Sequence, residues 1–266
     1  MEAGRAPVVF VHGLWLHATS WTPWIDVFSE AGYAATALGW PGDGETVAET
    51  RADAERVAGH GLAEVVAHHA NEIGELGRKP IVVGHSFGGL IAQLLLSEGS
   101  ASAAVAIDPA PAKGVLFLPP SALRVASIAL RNPANRNRAV SLTKKQFRYG
   151  FANAVSQQES DELWERWTIP SPGRPLFEAA LANVAPRSPA AVDRTTAARG
   201  PLLITAGGKD HTVPAAVSRQ TQKLYRNSSA VTELRTFADR GHSLTIDSGW
   251  REVADSVIGW LRERGL

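Results

Sequence analysis

Apolar residues along this chain fall into short runs that alternate with segments of helical periodicity. Most of the runs are continuously apolar and rich in β-branched residues, and their short length is typical of buried strands rather than of helices. Such strands are expected where helices cover both faces of a parallel sheet. The predicted strands are Val8–Val11, Ala34–Leu38, Ile81–Val83, Ala104–Ile107, Leu202–Thr205 and Thr232–Phe237.

Helical patterns lie between these strands and after the last of them. Their apolar residues recur on one face, which predicts helices that pack on the sheet. The alternation of strands with helices predicts an α/β fold, with a mostly parallel twisted sheet and helices on both faces. The predicted helices are Trp21–Ala31, Leu62–Leu76, Gly88–Ser97, Ala215–Tyr225 and Trp250–Arg264.

One long segment breaks this alternation. Between Ala110 and about Arg194 the pattern predicts no strand, and several prolines interrupt it. The sequences Thr143–Gln146 and Ser156–Glu159 match the capping box that begins a helix. We therefore expect a helical insertion over residues 112–194, between the two parts of an α/β core formed by residues 1–111 and 195–266.

The overall charge and the lack of cysteine narrow the class of protein. The 266 residues include 27 Lys and Arg, 26 Asp and Glu, and no cysteine. The near-neutral balance disfavours a nucleic-acid or membrane-surface protein, and disulfides and thiolate metal sites are excluded. Neither a signal-peptide pattern nor an apolar run of ~20 residues occurs. We expect a soluble, cytoplasmic protein, monomeric or homodimeric, with a small-molecule substrate.

A serine stands between a predicted strand and a predicted helix. The stretch Gly84-His85-Ser86-Phe87-Gly88 fits the pattern G-x-S-x-G, which requires that strand–turn–helix context. The glycines let backbones pass close to a sharply bent residue. The bend would raise the Ser86 hydroxyl above the sheet and place the Phe87 N–H at a helix N-terminus, where it can hold an oxyanion.

An acid and a base follow two later strands. Asp210 comes after Leu202–Thr205, and His242 comes after Thr232–Phe237. Residues that follow parallel strands meet at one edge of the sheet, so Ser86, Asp210 and His242 are expected to form a catalytic triad. Ser86 would attack, His242 would transfer the proton and Asp210 would orient the imidazole. Asp108, which follows Ala104–Ile107, is the alternative acid.

These motifs together resemble the α/β-hydrolase family. The resemblance rests on VHGLW (11–15), GWPGDGET (39–46), GHSFGG (84–89), GGKDHTVP (207–214) and GHS (241–243), and it extends over most of the core. It implies that the Leu14 N–H, which follows His12-Gly13, is the second oxyanion donor. It also implies that the insertion is a cap or lid over the site.

Substrate contacts are expected from apolar residues near the same edge. Trp15 and Trp40 follow strands, whereas Leu116, Phe117 and Trp167 lie in the insertion. Packing of cap against core is the alternative role for each of these side chains. A basic run of Arg131, Arg136, Arg138, Lys144, Lys145 and Arg148 is either a solvated face or a surface that steers an acidic substrate or partner.

The sequence therefore predicts a serine hydrolase that cleaves a carboxylic ester, thioester or lactone of a small, partly apolar substrate through an acyl-enzyme. No metal and no cofactor are expected. Two alternatives stay open, because a fold does not determine a function. One is a cofactor-free perhydrolase, lyase or oxygenase on the same triad, and the other is a small-molecule sensor with slow turnover.

Overall fold

A computed structural model describes residues 6–196 and 198–266. All six predicted strands are confirmed, each with bounds within two residues of the prediction. Together with two short strands that were not predicted, the strands are β1 Val8–Val11, β2 Ala35–Leu38, β3 Ile81–His85, β4 Ala103–Ile107, β5 Ala139–Val140, β6 Ser171–Pro172, β7 Leu202–Gly207 and β8 Thr232–Phe237. The six predicted strands form one parallel sheet in the order β2-β1-β3-β4-β7-β8.

The strand order reverses direction between β1 and β3. From β1 the chain moves outward to β2 and then returns to place β3 on the other side of β1. The connections that leave the carboxyl ends of β1 and β3 therefore diverge and open a crevice between them, which is where open α/β sheets bind ligands. The His12-Gly13 pair and Ser86 directly follow these two strands.

Helices surround the sheet, and the five predicted ones are all present. A short helix at Val47–Ala52, which Thr46 caps through its hydroxyl, was not predicted from the sequence. Among the described residues, no helix is both long and apolar enough to span a bilayer. The helices are α1 Thr22–Glu30, α2 Val47–Ala52, α3 Leu62–Gly74, α4 Phe87–Ser97, α5 Pro120–Leu130, α6 Lys144–Gly150, α7 Gln157–Trp167, α8 Arg174–Ala180, α9 Ala215–Leu224 and α10 Trp250–Arg262.

Alternate residues of each strand supply two separate cores. In β1, Val9 and Val11 pack with α3, α4 and the segment between β4 and β7, whereas Val8 and Phe10 pack with α1 and α10. This alternation is the two-residue period of a strand, and it explains why both sets of positions are apolar. The sheet is thus buried on both faces, and only its strand ends are available for chemistry.

An aromatic cluster fixes α1 against β1. The ring of Phe10 stacks on Trp21 at 4.9 Å and meets Phe28 edge to face at 5.1 Å. Trp24 packs in the same cluster and donates a hydrogen bond from Nε1 to the carbonyl oxygen of Thr245 at 2.8 Å. These early tryptophans are therefore core residues, and Trp24 also anchors the loop that follows β8.

The segment between β4 and β7 is mainly helical, with one exception to the prediction. It carries α5 to α8, but β5 and β6 pair as a two-stranded antiparallel ribbon where no strand was predicted. Two-residue strands are too short to produce a periodic pattern. We call residues 112–194 the inserted segment. Two cations of its basic run have partners within it: Lys144 pairs with Glu165, and Arg148 donates to the Ala152 carbonyl oxygen.

The two expected capping boxes differ. At α6 both reciprocal hydrogen bonds are present between Thr143 and Gln146. At α7 the Ser156 hydroxyl accepts from the Glu159 N–H, but the Glu159 carboxylate accepts from the backbone N–H of Ser248 at 2.6 Å instead. The second box is therefore only half formed, because its carboxylate joins the inserted segment to the loop after β8.

The inserted segment is also held to the core by Arg51, at the end of α2. Its guanidinium donates to the carbonyl oxygens of Trp164, Glu165 and Thr168 at 2.8–3.0 Å. These carbonyls lie at the C-terminal end of α7, which carries partial negative charge, and the Trp164 oxygen also accepts from the N–H and the hydroxyl of Thr168. One exposed cation therefore satisfies three helix-terminal acceptors across the boundary.

Replacement of Arg51 by methionine should loosen this boundary. We expect Arg51→Met to lower the free energy of unfolding by about 1–2 kcal/mol, since it removes hydrogen bonds from a charged donor. A chain of this length should then melt about 2–8 °C lower. Arg56→Met is the matched control, because Arg56 is exposed and its side chain makes no hydrogen bond or ion pair within the described ranges. Equal melting temperatures for the two variants would contradict the anchoring role.

Candidate active site

Ser86 occupies a strained turn at the carboxyl end of β3. Its φ of +56° lies in the left-handed region that residues other than glycine rarely adopt. The turn is compact because a Cβ atom on Gly88 would lie 2.1 Å from the Val11 carbonyl oxygen. The Ser86 N–H donates to the Ile107 carbonyl oxygen at 2.9 Å, and its own carbonyl oxygen accepts from Ala110. Hydrogen bonds to the next strand thus hold the turn in its strained shape.

His242 and Asp210 meet at the same edge. The Nδ1 of His242 lies 2.6 Å from Oδ2 of Asp210, and both side chains are fully buried. The imidazole also contacts the rings of His85 and Phe151, at centroid distances of 4.5 and 4.7 Å. The carboxylate therefore sets the tautomer, with the proton on Nδ1, while the two rings fix the plane of the imidazole.

The other nitrogen of His242 is available as a base. In the described part of the chain, the buried Nε2 has no hydrogen-bond partner. Burial lowers the pKa of His242 to about 4, so the ring is neutral at pH 7. No hydrogen bond joins it to Ser86, and such contacts often form only when substrate is bound.

Asp210 is surrounded by donors that favour its ionised form. Its Oδ1 accepts from the backbone N–H groups of Thr212 at 2.7 Å and Val213 at 2.8 Å. Burial raises the pKa of Asp210 to about 6, and these hydrogen bonds oppose the rise. The carboxylate is therefore still ionised at pH 7, as a group that must orient and stabilise an imidazolium has to be.

The loop after β1 passes directly over the serine. A Cβ atom on Gly13 would lie 2.7 Å from Cβ of Ser86 and 2.8 Å from the His85 carbonyl oxygen, so only glycine fits there. The N–H groups of Leu14 and Phe87 flank this contact. Within the described residues, neither N–H group donates a hydrogen bond to a protein acceptor. Two backbone N–H groups without protein acceptors thus belong to the residues that directly follow Gly13 and Ser86, the two residues in close contact.

His12 supports this loop rather than the reacting atoms. Its Nε2 lies 3.0 Å from Oδ2 of Asp43, and its carbonyl oxygen accepts from Nε1 of Trp40 at 3.0 Å. Asp43 also accepts from the Trp40 N–H at 2.9 Å. The glycine-rich loop after β2 is therefore the support on which the His12-Gly13 turn rests.

Ser86 forms part of the wall of an apolar cavity of about 200 Å³. The core contributes Trp15 and the residues after β3, β4 and β7, and the inserted segment contributes the rest. None of the described lining residues is charged. From the inserted segment the lining residues are Leu118, Ala122, Leu123, Val125, Ala126, Leu130, Leu176, Ala179 and Ala180. A larger cleft of about 620 Å³ lies beside β2 and does not include Ser86.

One acid–base cluster could be considered for a metal ion. Among the described residues, potential ligand atoms of Asp108, Asp210 and His242 lie within 4.8 Å of one another. Backbone N–H groups already donate to both carboxyls, and His242 donates to one of them. Donors directed at these oxygens disfavour a cation there, and the absence of a metal stays a prediction.

The sequence matches the model of the Alpha/beta hydrolase family over residues 8–256, which is nearly the whole chain. The chain belongs to the alpha/beta hydrolase family. No curated protein matches it significantly. The parallel sheet with surrounding helices is the fold of this family, so the predicted fold class is confirmed. Family membership supports hydrolase activity in general terms.

Solved structures of other alpha/beta hydrolases share this fold. A monoacylglycerol lipase from Paleococcus ferrophilus is 23% identical with a TM-score of 0.64, covering 96% of this chain and 95% of its own. An extracellular hydrolase from a Paenibacillus species is 16% identical with a TM-score of 0.69, at 96% and 98% coverage. A methylesterase from Arabidopsis is 16% identical with a TM-score of 0.62, covering 98% of both chains.

The five residues expected to contact substrate in this hydrolase lie in different places. Trp15 lines the cavity beside Ser86, whereas Trp40 lines the larger cleft and Trp167 packs in the core. Leu116 and Phe117 are 79% and 60% exposed and lie outside the cavity wall. Of the five, Trp15 lines the same cavity as Ser86 and the other four do not, and a substrate contact for any of them stays a prediction.

The cavity wall contains residues that sequence reasoning missed. Leu118 and Leu123 line it although Leu116 and Phe117, a few positions earlier, do not. The alanines of α5 and α8 leave the space between these helices and Ser86. A stripe of small residues on a helix of the inserted segment was the signal that could have indicated them.

Removal of the Ser86 hydroxyl tests whether it is the nucleophile. We expect Ser86→Ala to lower turnover of a model ester by roughly 10⁴-fold or more, because nucleophile, base and acid act as a unit. A fluorophosphonate should label one peptide, the one that contains Ser86. Ser97→Ala is the matched control, since Ser97 ends the same helix and bonds only to the Leu94 carbonyl oxygen. A label on another residue would refute the assignment.

Proposed function

We propose that this protein is a serine hydrolase that cleaves a small carboxylic ester through an acyl-enzyme, with Ser86 as nucleophile, His242 as base and Asp210 as acid. The observation that carries the proposal is the arrangement at the carboxyl edge of the sheet. A strained serine opens onto an apolar cavity. The ring of His242 contacts His85, the residue before this serine, and it combines a free Nε2 with a hydrogen bond to a buried carboxylate.

The first half of the proposed reaction forms the acyl-enzyme. Ser86 Oγ attacks the ester carbonyl carbon while Nε2 of His242 accepts its proton. Negative charge moves to the carbonyl oxygen, where the N–H groups of Leu14 and Phe87 stabilise it. His242 then gives the proton to the departing alkoxide, and the alcohol leaves with Ser86 acylated.

The second half returns the enzyme to its starting state. Water attacks the acyl carbon, and His242 Nε2 accepts a proton from this water. The same N–H groups hold the second oxyanion, and the proton then returns to Ser86 as the acid product leaves. Asp210 stays ionised throughout, and its charge favours the imidazolium in both steps. The inserted segment acts as the cap that limits access of bulk water to these steps.

The size and polarity of the cavity define the substrate class. A dry cavity of about 150 Å³ accommodates benzene, so the space beside Ser86 suits a phenyl group or a short branched chain. No described wall residue carries a charge, so we propose that the group bound there is neutral. Two of the similar solved structures are described as a lipase and a methylesterase, which are ester hydrolases. This similarity supports the proposal of an ester substrate.

The pH dependence should follow the buried acid–base pair. Because the pKa of Asp210 is raised to about 6 and that of His242 is lowered to about 4, both groups are in their active forms above pH 6. Below that value Asp210 binds a proton and loses the charge that stabilises the imidazolium. We expect kcat/KM to rise through an apparent pKa near 6 and then level off. A rate that stays constant between pH 5 and 8 would contradict this pair.

A larger side chain in the cavity should change substrate preference. Ala126 lines the cavity from α5, whereas Ser127 is exposed on the same helix. We expect Ala126→Leu to reduce kcat/KM for esters with a phenyl-sized group about 10- to 200-fold relative to acetyl esters of small alcohols. Ser127→Leu, the matched control, should leave that ranking unchanged. The same ranking in both variants would place the substrate elsewhere, with the larger cleft near Trp40 as the next candidate.

A further inference from the structure

A second buried carboxyl lies behind the acid of the site. Asp108 follows β4 and is fully buried, and one of its carboxyl oxygens lies within 4.8 Å of a carboxyl oxygen of Asp210. His242 is the basic side chain whose charge affects the pKa of Asp108. In the described ranges, neither Asp108 nor Asp210 forms an ion pair with a lysine or an arginine. Two carboxylates this close without a cation cannot both be ionised, so the pair holds a proton.

The surrounding donors decide which carboxyl keeps the proton. Asp210 accepts from the N–H groups of Thr212 and Val213 and from His242, all at 2.6–2.8 Å. Asp108 accepts from the Gly207 N–H at 3.0 Å and from the Thr205 hydroxyl at 3.3 Å. Three short hydrogen bonds favour the anion on Asp210 more than two longer ones favour it on Asp108.

The pKa values agree with this division. Burial and the neighbouring Asp210 carboxylate raise the pKa of Asp108 well above its ordinary value. The contact with Asp108 acts in the opposite sense on its partner and lowers the pKa of Asp210. Both directions favour Asp108 as the carboxyl that keeps the proton.

The backbone is built around this contact. Asp108 has a φ of +43°, in the left-handed region where aspartate is one of the better tolerated residues. A Cβ atom on Gly207 would lie 2.9 Å from Oδ2 of Asp108, so a glycine on β7 makes room for the carboxyl. The positive φ of Asp108, directly after β4, and the glycine at the end of β7 both allow the Asp108 carboxyl to lie close to Asp210.

We propose that Asp108 is a positioning residue, a neutral carboxylic acid whose O–H donates to Asp210 and holds it as the anion that faces His242. The inference rests on the proposed function in that it assigns Asp210 as the acid of the triad. Asp108 itself touches no substrate. It acts through Asp210, by stabilising the ionised carboxylate and by fixing the oxygen that accepts from Nδ1 of His242.

Two variants separate a neutral donor from a second anion. Asp108→Asn keeps an N–H donor for Asp210 and a carbonyl acceptor for Gly207, whereas Asp108→Leu has a similar volume and no donor. We expect Asp108→Asn to retain kcat/KM within about tenfold of the parent. Asp108→Leu should lose about 10- to 100-fold in kcat, the size expected for a lost hydrogen bond to a charged group.

The pH profile of kcat/KM is the readout that a merely structural role would leave unchanged. The donor lowers the pKa of Asp210, so its loss should move the acid limb to higher pH in Asp108→Leu. In Asp108→Asn the limb should stay in place. If Asp108→Asn loses as much activity as Asp210→Asn, Asp108 is the working anion and the proposal fails. Parental rate and pH profile in Asp108→Leu would also overturn it.

An infrared measurement tests the proton directly and needs no substrate. The parent protein at pH 7 should show the C=O stretching band of a protonated buried carboxylic acid, and this band should be missing from Asp108→Asn. Persistence of the band in Asp108→Asn, or its absence from the parent, would overturn the proposal even if Asp108→Leu fails to fold. A parent that cleaves no ester but shows the band on Asp108 would instead count against the proposed function alone.

Discussion

The close approach of two loops at the centre of the sheet is the constraint on which the site depends. The His12-Gly13 turn crosses Ser86 so tightly that a Cβ atom on Gly13 would overlap the serine, and a Cβ atom on Gly88 would lie even closer to the Val11 carbonyl oxygen. This contact exists because the strand order reverses between β1 and β3, which makes their carboxyl-end loops neighbours. The residues that directly follow Gly13 and Ser86 are the two whose N–H groups we propose as oxyanion donors.

Burial determines the chemistry of the groups around that contact. His242 is neutral at pH 7 because desolvation disfavours its cation, and Asp210 stays ionised because three donors compensate for the cost of burying its charge. A site open to water would keep a histidine near its ordinary pKa and screen the carboxylate. The inserted segment contributes to this burial, because its Phe151 packs nearly perpendicular to the imidazole ring of His242 at a centroid distance of 4.7 Å.

Much of the fold and the contact of His242 with Asp210 could be predicted from the sequence because both depend on local patterns. Continuous apolar runs indicate the strands, and Ser86, Asp210 and His242 each follow the end of a strand within five residues. The cavity could not be predicted in the same way. Leu116 and Leu118 lie in a proline-interrupted loop with no periodicity, so nothing local shows that one faces solvent and the other the cavity. The contact of Asp108 with Asp210 is likewise set by neighbouring strands distant in sequence.

Trp15 connects the two halves of the structure. Its backbone N–H donates to Ser171 Oγ at 2.6 Å, its Nε1 donates to the Val140 carbonyl oxygen at 2.9 Å, and its own φ is +67°. Both partners belong to the β5–β6 ribbon of the inserted segment, and Trp15 directly follows Leu14, which we propose as an oxyanion donor. The ribbon therefore fixes the backbone that adjoins Leu14. Since Trp15 also lines the cavity that includes Ser86, the proposed substrate contact is covalently joined to the proposed oxyanion donor. In the proposed function, specificity from the inserted segment and catalysis from the core would thus be coupled through one short stretch of chain.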